Sequence, residues 1–116
     1  MKYAIYQINI TNDQHDLINK DGFAACPEFV AKQGMSMDFE GKKLAGRALA
    51  AWREGYYTQV SNIHAESLDG VFEVGNIGPE EKIERLQRMH SVSIGDVIID
   101  ENGVKSVVAP CGFESL

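Results

Sequence analysis

Apolar and polar residues alternate from the start of the chain. Ala4, Tyr6, Ile8 and Ile10 fall on one face, and Tyr3, Ile5, Gln7 and Asn9 on the other. A period of two predicts a β-strand buried mainly on the first of those faces. Thr11-Asn12-Asp13 ends it. The pattern over 14–38 is weaker: Asp13 is placed to cap a short helix over 14–20, Pro27 to open another over 28–32, with breaks at Asp21-Gly22 and Gly34. Residues 39–54 have the clearest helical period. Leu44, Ala48 and Trp52 form an apolar stripe with Ala45 and Leu49 beside it, predicting a long helix that Gly55 ends and that carries Trp52 in the core. Residues 56–65 are rich in β-formers and predict a second strand. Ser67 is a candidate N-cap for a short helix that turns Leu68, Val71 and Phe72 inward and stops at Gly75-Asn76. Pro79 predicts the first turn of another helix, with Glu80 and Glu81 set against its dipole and Ile83 and Leu86 inward. On its outer side Glu81–Arg85 and Glu84–Arg88 would pair. The last segment predicts a hairpin, 96–100 and 104–108 about Glu101-Asn102-Gly103, in which Asn-Gly supplies the turn. Gly95-Asp96 makes a tight turn into it, ordered by the Asp96 side chain. Gly112 and Phe113 close the domain, with Phe113 over one end of the core.

The order β-α-β-α-α-β-β predicts an α+β fold: a mostly antiparallel sheet of about four strands, helices packed mainly on one face, and a C-terminal β-hairpin. A chain of 116 residues is one domain, 1–116, long enough to hold a core without disulfide or metal. No apolar run is long enough to cross a membrane. The alternation of residues 1–7 differs from a secretory leader, so the expectation is a cytoplasmic protein whose two cysteines, Cys26 and Cys111, are reduced and buried.

The net charge of −6 lies wholly in residues 66–116, where ten Asp/Glu face four Lys/Arg. That half has the wrong sign for phosphate backbones. It suits a basic protein partner, mimicry of nucleic acid, or solubility.

Motifs for chemistry are missing. There is no CxxC, GxGxxG, HExxH, GxSxG or EF-hand loop, and Gly70 to Gly75 lacks the Lys-Ser/Thr of a phosphate loop. His15, His64, His90, Cys26 and Cys111 have no ligand spacing, so no metal and no cofactor is expected. Cys111 with His64 or His90 is the one thiol–imidazole pair to consider. The surface candidates for a partner are Tyr56 and Tyr57, of which alternation turns one outward, together with Glu80, Glu81, Glu84, Asp100 and Glu101.

Ser91, Ser93, Gly95, Asp96 and Val97, followed by the hairpin and then Gly112-Phe113, carry a resemblance. Residues 57–116 resemble the YodL-like family, small bacterial proteins often borne by phages, plasmids and other mobile elements. The family often has tyrosines in the last strand, where this chain has Ser106-Val107-Val108. The resemblance implies no enzyme activity. It implies an accessory protein of a mobile element that acts by binding.

The expected function is therefore a non-enzymatic, cytoplasmic protein that binds and modulates a host protein through an acidic surface. A basic, nucleic-acid-handling host protein is the natural target. The alternative is an RNA-binding module of the PUA- or ASCH-like kind, using Lys42, Lys43, Arg47 and Arg53 with the two tyrosines for stacking. A third is a small enzyme built on Cys111 and a histidine. An exposed edge strand would also permit a homodimer.

Overall fold

The first strand, β1 (Lys2–Gln7), lies in the middle of its sheet. Thr58–His64 (β2) pairs along one side and Val97–Ile99 (β4) along the other. Ile83–Arg85 (β3) extends the sheet beyond β2, while Lys105–Ala109 (β5) and Gly112–Ser115 (β6) extend it beyond β4. The computed structural model, which describes residues 1–116, thus has six antiparallel strands in the order β3-β2-β1-β4-β5-β6, in an open sheet. The α+β class agrees with the expectation. The count of about four strands was short by β3 and β6.

Helices lie on both faces of this sheet, not mainly on one. Adjacent residues of β5 show it: Val107 joins one buried cluster and Val108 the other. On one face, Val71 and Val74 of α4 (Leu68–Asn76) pack with Tyr3, Ile5, Val60, Ile63 and Ile98. On the other, Met35 of α2 (Pro27–Ser36) and Leu44, Ala48 and Ala51 of α3 (Leu44–Arg53) pack with Ile8 and Val107. Helix α1 (Asn12–Asp21) lies outside this layer and has no buried residue. The fully covered positions of β1 are Tyr3, Ile5 and Gln7, on the face that alternation ranked second, while Ala4 and Tyr6 on the other face are half-buried.

Local signals account for several elements. Ser67 caps α4 by accepting from the Gly70 N–H, and Pro27 occupies the first turn of α2. Thr11, not Asp13, caps α1, in a reciprocal box with Gln14. Gly34 lies inside α2 because the Arg47 guanidinium rests where a side chain would be. The long helix begins at Leu44 and not at 39, since Asp38 accepts from the N–H groups of Gly41 and Lys43 and holds that stretch in turns. Phe72 faces outward, leaving Val71 and Val74 to carry the buried side of α4. Trp52 stands at the rim of the second cluster, edge-on to Tyr6 at 5.0 Å and under the Lys105 ammonium at 5.5 Å.

The helix expected from Pro79 is not formed. Glu80–Lys82 makes a single 3-10 turn, and Ile83–Arg85 then pairs with Ser61–Ile63. The β2 edge offers unpaired backbone groups, and satisfying them outweighs a weak helical preference. The two expected i,i+4 pairs are replaced by a bidentate Glu80–Arg85 ion pair, and Leu86 is exposed. A bulge at Val60 shifts the β1–β2 register, so that Gln59 and Asn62 come to the same side and hydrogen-bond at 3.1 Å. In the last hairpin Asn102 does not take positive φ. Gly103 alone does (+80°), and the Asp100 carboxylate accepts from the N–H groups of Asn102 and Val104 to fix the loop. Phe113 lies in β6 and packs against the α4-side cluster, while Gly112 takes φ +91° at the β5–β6 turn.

Candidate functional site

The two ends of the sheet differ in charge. At the end where β1 begins, the 100–101 loop folds back on the N-terminus, and Glu101 accepts a 2.6 Å hydrogen bond from the Lys2 N–H. The connection from β2 to α4 reaches the same end, with the Ala65 N–H donating to the Met1 carbonyl. Asp100, Glu101 and Glu66 thereby converge on the Tyr3 phenol. Burial raises its pKa, and the three carboxylates raise it further. A cavity of about 370 Å³ opens beside them, lined in part by Glu66, Glu73, His64 and Lys82. Ion pairs join only Lys42 to Glu40 and Arg85 to Glu80, so none of Glu66, Glu73, Asp100 and Glu101 has a cation within 4 Å.

At the opposite end a polar network replaces the core. Gln7, fully buried, donates from Nε2 to an Asp96 carboxylate oxygen (3.0 Å) and to the His90 carbonyl (2.9 Å), and its own oxygen accepts from the His90 N–H. The same Asp96 oxygen accepts from the Ser93 N–H at 2.9 Å. Asp96 thus orders the turn as expected, and Gly95 takes φ +92° with Met35 packed 3.2 Å from where a Cβ would sit. Burial pushes the Asp96 carboxyl up from 3.8 to about 7, against the opposing pull of those hydrogen bonds and of Lys32. Beside it, His90 Nδ1 lies 2.8 Å from the Ser91 carbonyl, which calls for a proton on Nδ1 and leaves Nε2 to accept from the Lys32 ammonium at 3.5 Å. Desolvation lowers the pKa of Lys32; desolvation also lowers that of His90, against the opposing Ser91 hydrogen bond and with a smaller push from the nearby ammonium. Periodicity cannot reveal this network: Gln7 and Asp96 are 89 positions apart. Its one sequence signal is a glutamine inside an otherwise apolar strand face.

The expected partner residues divide between these ends. Asp100 and Glu101 belong to the acidic end. Glu80, Glu81 and Glu84 lie along the β3 edge, with Glu80 engaged by Arg85. Tyr56 and Tyr57 do not split into an inward and an outward ring, for both are half-buried against the α3-side cluster. The Tyr57 hydroxyl donates to the Gly95 carbonyl, and burial raises its pKa. The four cations considered for RNA share no helix face either. Lys42 and Lys43 precede α3, Lys42 pairs with Glu40, and Arg47 covers Gly34.

Cys26 is buried as expected, but Cys111 is exposed in the β5–β6 turn and has no hydrogen bond to a histidine. No three His, Cys, Asp or Glu side chains gather as metal ligands would. No helix is long and apolar enough to cross a membrane. No family model matches the chain, and no curated protein or solved structure matches it either.

Proposed function

We propose that this chain is a small non-enzymatic binding protein, of the accessory kind carried by mobile elements, that engages a basic surface of a host protein through its acidic end. The observation that supports this is the gathering of Glu66, Asp100 and Glu101 about Tyr3, none of the three in an ion pair. Like charges held together raise the free energy of the unbound protein, and a basic partner relieves that repulsion while gaining rate from electrostatic steering. The β3 edge adds Glu81 and Glu84, neither in an ion pair, so a partner reaching past the end of the sheet meets acid there as well.

The test is affinity capture from bacterial lysate, with and without nuclease treatment, with the wild-type chain and a Glu66→Gln, Asp100→Asn, Glu101→Gln variant as parallel baits. Asn and Gln keep the hydrogen bonds that the 100–101 loop accepts while removing its charge. A dominant protein held by the wild type and lost from the variant is the expected result. Equal retention by both overturns the reading, and retention that disappears with nuclease replaces it with nucleic-acid binding.

A further inference from the structure

In a chain of net charge −6, one cavity gathers Lys32, Arg88, His15 and His90 in its lining and no acid. It measures about 350 Å³ and lies between α1, α2, the end of β1 and the segment leading to β4. His15 comes from α1, Phe29 and Lys32 from α2, Asn9 from the end of β1, and Arg88 and His90 from the long connection. The arrangement is tied together: Asn9 Nδ2 donates to the Arg88 carbonyl at 2.8 Å, and Lys32 donates to His90 Nε2. Neither Lys32 nor Arg88 has a carboxylate within ion-pair distance. Phe29, stacked on Phe23 with ring centroids 5.0 Å apart, and Ile10 give the cavity its apolar lining together with Met89.

We propose that this cavity binds a small phosphate monoester with a flat apolar body, its phosphate held by Lys32 and Arg88 and its body laid against Phe29. Several features favour a phosphate over a carboxylate. The ammonium gives one proton to His90 and keeps two, the Arg88 guanidinium presents a fork of donors, and the His15 imidazole adds another. A dianion with three acceptor oxygens matches two cations, whereas one carboxylate leaves half of their donors unmet. The volume lies at the small end of ligand pockets, which limits the body to about a single ring system. The site is at the end of the sheet away from Glu66, Asp100 and Glu101, so it stands or falls separately from the acidic surface.

The measurement is calorimetric titration of phenyl phosphate, inorganic phosphate and benzoate into the full chain, with NMR shifts of the His15 and Phe29 rings as a second readout. Phenyl phosphate should bind more tightly than either of the others and move both rings. Arg88→Ala and Lys32→Met should each weaken it by about tenfold or more, the usual loss for a hydrogen bond to a charged group. Arg53→Ala, on α3 and outside the cavity lining, should leave it unchanged. Arg88 is exposed, so that variant does not test folding. Absence of binding at millimolar concentration overturns the site, as does binding indifferent to both substitutions. Benzoate binding as tightly as phenyl phosphate overturns the phosphate preference, and inorganic phosphate doing so overturns the role of Phe29.

Discussion

Replacing Asp96 by Asn tests the polar network through its pH dependence. Asp96 is buried, and burial raises its carboxyl from 3.8 to about 7. In the unfolded chain the group ionises near its ordinary value, so between those two values the folded protein holds a proton that unfolding releases. Stability from this group is complete below the unfolded value and is lost as pH rises through about 7. At about 1.36 kcal/mol per pH unit the full effect is about 4 kcal/mol, an upper value because water entering the site on ionisation relieves part of the cost. Asn keeps the shape, and its amide oxygen can accept from both Ser93 and Gln7, but it does not titrate. His90, with its pKa lowered, gives the opposite slope, gaining stability as pH rises through its own range, and this is common to both proteins. The difference between them therefore isolates Asp96. Urea unfolding followed by Trp52 fluorescence, from about pH 5 to about pH 8, should show the variant gaining about 3 kcal/mol on the wild type across that interval. Parallel curves would refute the reasoning and mean that the carboxylate is ionised in the folded protein throughout.

Two packing predictions go with this. A Cβ on Gly75 would overlap the Val92 side chain, so Gly75→Ala should cost about 1–3 kcal/mol in thermal unfolding despite the better helix propensity of alanine; a raised Tm would show that the 91–95 segment yields freely. The Ser61 hydroxyl is buried without a hydrogen-bond partner, so Ser61→Ala should be neutral or stabilising, within about 1 kcal/mol. A larger loss in the same assay would show that the hydroxyl is bonded.

What the sequence made legible was local. The stripe Leu44, Ala48 and the Ser67 cap act within a few residues of themselves, and both are found where periodicity put them. The Asp96 turn was readable for the same reason, since Ser93 and Asp96 are three positions apart. The misassigned parts are those decided by distant neighbours. Ile83–Arg85 becomes a strand only because β2 presents an open edge, and acidic residues after a proline give no sign of that edge. The covered face of β1 depends on β2 and β4 closing around it, which brings α4 to one side and α2 and α3 to the other. Gln7 with Asp96, and Lys32 with Arg88, are assembled by the fold from segments that share no pattern. The acidic end was half legible: charge counting found Asp100 and Glu101, but Glu66 joins them only through the β2–α4 connection.

The most direct test of the acidic surface is the salt dependence of binding to the partner that the wild-type chain captures, set against that of the Glu66→Gln, Asp100→Asn, Glu101→Gln variant. The affinity of the wild type should fall steeply as salt rises, and the variant should bind more weakly with a flatter dependence. Equal affinities with equal slopes would contradict the account, because the three carboxylates would then lie outside the interface.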